Sequence, residues 1–276
     1  MNAEIAAVQH LRPMRGGAQS HLMRASDGAY YVTKFQNNPQ HVRVLANEMI
    51  ATRMGRMLGL PMPSIAVMEV SDWLVSHSPE MRIRLSGASQ PCSSGKQLAS
   101  FYCRGESDGV FFDYLPGNAL AAVENLGDFA RVLVLDKWTC NSDGRQAIFS
   151  PTPSPTSSRT ASRRGYRASF IDQGYCFNAG EWSFPDSPLR GIYANRSVYG
   201  GVSGWEDFEP ALSRAEQADA QELWTCAAGV PEEWYEGDRT GLERLIEALY
   251  RRRILIRDLI ASFRAWRDDP FPKWKR

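Results

Sequence analysis

Five groups of residues in this sequence have types and spacing that suit chemistry on phosphate. Lys34 lies in the β-prone run Tyr30-Tyr31-Val32-Thr33-Lys34-Phe35. A lysine carried on a sheet can extend its ammonium to a phosphate oxygen. Val32 and Phe35 differ in parity, so one face of the run cannot be wholly apolar. Glu48 shares one helical face with Ala51, Thr52 and Gly55. Small residues beside a carboxylate let that face approach a sheet, where a Lys–Glu pair would fix the lysine. Upstream, Arg15-Gly16-Gly17-Ala18-Gln19-Ser20-His21 pairs two glycines. Such a turn lets backbone N–H groups come close to phosphate oxygens. Asp143, in Asn141-Ser142-Asp143-Gly144-Arg145-Gln146, would orient or deprotonate a hydroxyl. Asp172, in Phe170-Ile171-Asp172-Gln173-Gly174, sits at a strand end before a glycine, a common way to present a magnesium ligand.

Taken singly, each group has a plain alternative. The glycines read as a tight turn, Lys34 and Glu48 as solvated side chains, and Asp143 as turn chemistry. Their order along the chain counts against that. A Gly-rich turn, strand lysine, helix glutamate, late aspartate and strand-end Asp-x-Gly suit two lobes, one clamping nucleotide and one holding metal and acceptor.

The elements that must position these residues are legible in part. Residues 22–35 hold two β-prone runs around Ser26-Asp27-Gly28, a hairpin signal. The apolar stripe Ile50, Met54, Met57 and Leu58 predicts a helix over 42–58, ended by Gly59 and kept from continuing by Pro61 and Pro63. Residues 64–76 read as strand, 77–108 as a long loop or insertion without period, and 109–115, GVFFDYL, as an apolar strand. A helix is expected near 127–140, and RASFIDQG returns to strand. Residues 150–164 are low in complexity and read as a flexible surface segment. Residues 178–210 are irregular and aromatic-rich, suggesting either core packing or a partner surface. Leu242, Leu245, Ile246, Leu249, Ile256, Leu259, Ile260 and Phe263 recur at helical spacing. Arg251-Arg252-Arg253 within that stretch reads as a solvated face.

Composition excludes several classes. Lys plus Arg is 32 against 31 Asp plus Glu, a net charge of +1, so no global field favours nucleic acid or an anionic membrane. No apolar run approaches a membrane span, and the first residues lack a secretory pattern, so a cytoplasmic setting is expected. Five scattered cysteines without a CxxC indicate neither a disulfide framework nor a zinc site, and most read as small buried hydrophobes. His21, His41 and His77 show no metal-ligand spacing.

The strings YYVTKF, LANEMIATRMGRMLGLPMP, VFFDYLPG, DKWTCNSDGRQ and FIDQG, in that order, resemble the HipA-like kinase family, within the wider protein-kinase and phosphoinositide-kinase-like fold. The resemblance covers about residues 10–265. It implies an α+β, two-lobed kinase-like architecture, with an antiparallel N-lobe sheet plus helix over 1–115 and a mostly helical C-lobe over 116–276. It implies ATP and Mg2+ as cofactors. Lys34 would contact the nucleotide phosphates with Glu48 as ion partner, and Gly16, Gly17 and Ser20 would lie in the phosphate-covering loop. Asp113, Tyr114 and Leu115 would form the hinge facing adenine. Asp143 would be the catalytic aspartate and Asp172 the magnesium ligand. A protein hydroxyl acceptor, Ser or Thr, and an antitoxin-like regulatory partner follow from the resemblance alone. No membrane and no direct nucleic-acid binding are expected.

The family pattern puts a metal-binding Asn five residues after the catalytic Asp, where this chain has Ile148. An alkyl group cannot coordinate magnesium, and Gln146 is a weaker stand-in. Arg145 beside Asp143 would offset charge on a transferring phosphoryl group. A second register pairs Asp136 with Asn141, but Asp136 falls inside an apolar helix pattern, which favours Asp143. Ile148 keeps a nucleotide-binding pseudokinase or scaffold in play, and a small-molecule or lipid kinase fits the same fold. The Ser/Thr-rich segment 150–164 and Ser20 are candidate phosphorylation sites.

Overall fold

The computed structural model describes residues 5–85, 87–102, 111–152 and 165–275. Its N-terminal part is a closed five-stranded barrel of order β1-β2-β3-β7-β4, formed by β1 (Ile5–Pro13), β2 (His21–Ala25), β3 (Tyr30–Lys34), β4 (Ile65–Val70) and β7 (Gly95–Phe101). Four of the five contacts are antiparallel; β1 closes the ring against β4 in parallel, Ile5 opposite Met68. The β2–β3 hairpin turns where the Asp-Gly signal lies. Gly28 takes φ +82, and Asp27 accepts hydrogen bonds from the Ala29 backbone N–H at 2.9 Å and the Tyr31 hydroxyl at 2.7 Å.

Between β3 and β4 runs α1 (Arg43–Met57). It is buried on both faces, since it lies between the sheet and the helical half. Gly55 makes room for the Met62 side chain from the α1–β4 connection, which a Cβ there would overlap, and for Leu135 of the helical half, 3.2 Å from that position. After β4 the chain forms α2 (Asp72–Ser76) and then a two-stranded hairpin, β5 (Arg82–Leu85) with β6 (Ala88–Pro91). Two expectations are corrected here. The strand over 64–76 stops at Val70, where Ser71 caps α2 by accepting the Leu74 N–H. The aperiodic stretch 77–108 is not one long loop; it holds β5, β6 and β7, the last of which pairs on both sides within the barrel. Polar residues on an external hairpin hid the strand period.

The second half opens with α3 (Gly117–Leu120) and α4 (Asp128–Trp138). Then β8 (Gln146–Thr152) pairs antiparallel with β9 (Gly165–Ile171). Short 3-10 turns follow at 176–181, 196–199, 205–208 and 232–235. Helices α5 (Ala211–Gln217), α6 (Ala220–Ala227), α7 (Arg239–Arg252) and α8 (Ile256–Arg264) complete the helical part. The expected strand over 109–115 is absent from its described part: Phe112 makes a single bridge with Phe149. Of the segment 150–164, residues through Thr152 extend β8 and the remainder lies outside the described residues.

Two apolar clusters organise the chain. The smaller joins Ile5, Met23, Phe35 and Met68 of the barrel to Met81, Ile83 and Cys92 of the hairpin region. The larger runs from α1 through α4, β8 and β9 to α8. The aromatic stretch 178–210 goes into it: Tyr199 and Phe208 are fully buried, and Trp205 meets Trp274 at 5.0 Å. Arg252 departs from the solvated-face expectation. It is buried, donates to the carbonyls of Lys137 and Trp138, and grips both Asp186 oxygens at 2.8 and 2.6 Å. Cys92, Cys140, Cys176 and Cys226 are buried free thiols; Cys103 lies outside the described residues. Among the described residues, no helix is long and apolar enough to cross a membrane.

Candidate active site

Alternation along β3 decides where Lys34 goes. Tyr31 and Phe35 turn into the barrel-side cluster, while Val32 and Lys34 face the opposite way, into a cleft of about 850 Å³. Lys34 Nζ lies 2.8 Å from Glu48 Oε2 on α1 and 2.8 Å from Asp172 Oδ1 after β9. One ammonium thus joins the sheet, the helix and the late strand end. Burial by itself would push the Lys34 pKa down, but the two carboxylates outweigh it and hold the pKa above its ordinary value. Burial would likewise raise the Asp172 carboxyl, yet the charge and hydrogen bond of Lys34, then the Arg145 charge, keep it below the usual range.

The turn after β9 is shaped to seat Asp172. Asp172 takes φ +61, a left-handed conformation that Asp tolerates. Gly174 packs against α1: a Cβ there would come 3.2 Å from Val44 Cβ and 3.6 Å from Glu48 Oε2. Asn47, next to Glu48 and fully buried, staples this turn to α1. Its Nδ2 donates to the carbonyls of Gly174 at 2.9 Å, Cys176 at 3.1 Å and Ala179 at 2.7 Å, and its Oδ1 accepts the Trp182 indole N–H at 2.7 Å. Sequence reading passed over Asn47. A polar residue inside an apolar stripe beside the key glutamate was the available signal.

Gly16, Gly17 and Ser20 line the same cleft, in the connection from β1 to β2. Gly16 takes φ +126, which needs glycine. Asp143 and Gln146 also line it, as do Ser142 and Tyr175. The Asp143 backbone N–H donates to Asn141 Oδ1 at 3.1 Å, and Asp143 Oδ1 accepts the Gly144 N–H at 2.7 Å. The Asp143 side chain is exposed to the cleft, in contrast to Asp136. Asp136 is fully buried, accepts from Asn141 Nδ2 at 2.9 Å, and does not line the cleft, which counts against the competing Asp136–Asn141 register.

Arg145 requires a correction. Its side chain has no exposure and forks onto Asp136, with the third nitrogen donating to the Ile171 carbonyl at 3.0 Å and to Gln173 Oε1 at 2.5 Å. It cannot reach a phosphoryl group in the cleft. It braces the 139–146 loop from beneath, which sets the backbone that presents Asp143. The reason is electrostatic: Asp136 within a buried helix demands a counter-charge, and a guanidinium meets that carboxylate in a bidentate fork.

The residues assigned to the hinge are also corrected. Asp113 and Tyr114 are exposed, and Leu115 is buried in the helical half; none lines the cleft. Phe101, Tyr102 and Phe111 do, together with Leu98, Ser100 and Pro61–Pro63. By Phe112 the chain has already bridged to β8. Residues 103–110 lie outside the described residues.

Asp143, Asp172 and the Gln146 carboxamide line this wall with oxygen donors of the hard type that Mg2+ takes, but among the described residues no cluster of three or more His, Cys, Asp or Glu that could hold a metal ion occurs. Strand alternation brings Ile148 to the cleft beside Gln146, while Ala147 and Phe149 are buried. The position five residues after Asp143 thus contributes an alkyl group.

No match was found among curated proteins. The chain superposes on the Helicobacter pylori proinflammatory kinase CtkA with a TM-score of 0.52 at 12% identity, covering 92% of this chain and 99% of that one. Two structures of the Golgi casein kinase, one with Mn/ADP bound, align at 14% and 13% identity with TM-scores of 0.46 and 0.48. These alignments cover 96% of this chain and 74% and 75% of theirs. The CtkA superposition shows a kinase-like architecture. The profile of the HipA-like kinase matches residues 7–150, more than half of the 276 residues, and it spans the Gly-rich turn, Lys34, Glu48 and Asp143. The chain belongs to the HipA-like kinase family.

Proposed function

We propose that the chain is an ATP- and magnesium-dependent phosphotransferase that moves the γ-phosphoryl group to a hydroxyl, most simply a Ser or Thr of a protein. The observation that carries this reading is the Lys34 ammonium at 2.8 Å from both Glu48 and Asp172 in the wall of one cleft. Residues 1–115 would clamp the nucleotide and 116–276 would hold metal and acceptor.

Each residue has one task. Lys34 neutralises phosphate charge that would otherwise repel an incoming oxygen, and Glu48 keeps it from swinging away. The N–H groups around Gly16 and Gly17 cover the phosphates. Asp143 faces the cleft and accepts the proton of the acceptor hydroxyl as the oxygen attacks. Asp172 and Gln146 would hold Mg2+, which when bound supplies charge neutralisation on the transferring group. Phe101, Tyr102, Phe111 and Ile148 offer an apolar seat for a base. An antitoxin-like regulator and a cytoplasmic setting belong to the family expectation.

A second reading rests on Ile148. With an alkyl group in the second metal position, the cleft would bind nucleotide without transferring phosphate, and the protein would act as a pseudokinase. Purified protein with γ-labelled ATP and magnesium separates the two. Label on the protein itself or on a lysate protein, lost in Asp172→Ala, supports transfer. A melting temperature raised by ATP with no label moved under any divalent metal supports the second reading. Label found only in metabolites or lipids assigns a small-molecule acceptor.

A further inference from the structure

Within the stretch Met14–Ser20, every residue lines the cleft except Gln19. Gln19 faces away and reaches the external hairpin. Its Nε2 donates to the Arg84 carbonyl at 2.8 Å, and its Oε1 accepts the Arg84 backbone N–H at 2.8 Å. Arg84 is on β5, opposite Ser89 of β6. With both peptide groups of Arg84 turned outward to Gln19, the carboxamide takes the place of a neighbouring strand.

Two further ties hold the same hairpin. Asn37, in the β3–α1 connection, repeats the pattern: Nδ2 donates to the Pro91 carbonyl at 2.8 Å and Oδ1 accepts the Ser93 N–H at 3.0 Å. His21, the first residue of β2, lies with Nε2 at 3.6 Å from the Cys92 thiol and Nδ1 at 2.9 Å from His10 Nε2. Met81, Ile83 and Cys92 anchor the hairpin in the barrel-side cluster. It is therefore a fixed object against which a Gly-Gly loop can be set.

We propose that hairpin β5–β6 is a buttress for the phosphate-covering loop, and that Gln19 is the positioning residue that fastens the loop to it before nucleotide arrives. The inference rests on the nucleotide reading of the cleft. A simple edge cap would not require this contact, because water can serve an exposed N–H and C=O equally well. Here the chain holds Gln19 at φ +47, an uncommon conformation for a residue with a side chain, to make the contact. Two adjacent glycines leave the loop with high conformational freedom. Ordering it in advance removes an entropy cost from ligand binding, so the benefit appears in affinity.

The test is calorimetric titration with a non-hydrolysable ATP analogue and magnesium, using the full chain and the variants Gln19→Ala, Gln19→Gly and Arg84→Pro. Gln19→Gly relieves the positive φ, so it separates loss of the clamp from loss of the fold. Proline at 84 deletes the N–H that Gln19 accepts without removing a bond to β6. We expect each single variant to weaken binding roughly tenfold. The double variant Gln19→Ala/Arg84→Pro should be no worse than either single one, and the melting temperature of Gln19→Gly should hold. If transfer occurs, KM for nucleotide should rise with kcat little changed. Variants that bind as tightly as the unaltered chain overturn the buttress while leaving the nucleotide reading intact. Additive effects in the double variant overturn the Gln19–Arg84 coupling. No binding by the unaltered chain overturns both the buttress and the nucleotide reading.

Discussion

Lys34, Asp143 and Arg145 differ in what their removal should do, and the difference follows from burial. Lys34 and Asp143 line a cleft; Arg145 sits under it with its charge fully enclosed. Asp143→Asn should keep the melting temperature and abolish label transfer. Lys34→Ala should cost about 10²–10³-fold in transfer rate, the size seen when one electrostatic stabiliser is lost. It also leaves Glu48 buried beside Asp172 without a cation, so some stability goes with it. Arg145→Ala strands Asp136 in the core and should destabilise the fold by about 3–5 kcal/mol, read by denaturant midpoint. If Arg145→Ala instead folds normally and loses only activity, the structural role assigned here is wrong. In the sequence Arg145 looked catalytic because it neighbours Asp143. Its partner lies nine residues back, and only the burial of Asp136 reveals the pairing.

At the level of elements, α1 and the turn after β9 act as one unit. Asn47→Ala would leave three carbonyls without their shared donor, and should cost roughly 3 kcal/mol by thermal or denaturant unfolding. Gly174→Ala tests the same contact sterically: the added methyl would crowd the Val44 side chain at 3.2 Å and push the turn that carries Asp172 away from α1, so nucleotide affinity should fall with Lys34 itself intact. The His10–His21 pair gives the barrel an acid sensitivity. Burial, then the charge on His10, lowers the His21 pKa from 6.5 to about 4. The unfolded chain therefore binds more protons than the folded one between those values. The contribution is fully present above pH 6.5 and is lost as pH falls toward 4. Urea midpoints at pH 7.5 and 5 should differ more for the unaltered chain than for His21→Leu; equal differences would remove His21 as the cause. The elements carrying strong periodicity or a turn signal were legible: α1, the β2–β3 hairpin, α4, β9 and the C-terminal helices. β1 and the β5–β7 segment were not, because their strands mix polar residues on an exposed side with short apolar contacts inside. A parallel closure between Ile5 and Met68 leaves no local trace in sequence.

For the whole molecule, the kinase-like order was legible because the Gly-rich turn, Lys34, Glu48, Asp143 and Asp172 occur in the sequence in the order in which the N-terminal barrel and the helical part are built. The hinge was not. The chain leaves β7 at Phe101 and has bridged to β8 by Phe112, and the described part of the run, 111–115, makes only that bridge although it reads as a strand. If one nucleotide bridges both halves, binding should stabilise them together. A ligand at a hundred times its Kd adds about 2.7 kcal/mol, visible as a single cooperative transition moved upward by several degrees. Two transitions, with only one moved, would show that the halves do not share the ligand.

The account stands or falls on Lys34 and Asp172 serving one nucleotide site. Isothermal titration of ATP with magnesium into the unaltered chain, Lys34→Ala and Asp172→Ala tests it directly. The account predicts one site per chain, weakened at least tenfold by Lys34→Ala and stripped of its magnesium dependence by Asp172→Ala. Equal affinity and equal metal dependence in all three proteins would contradict it.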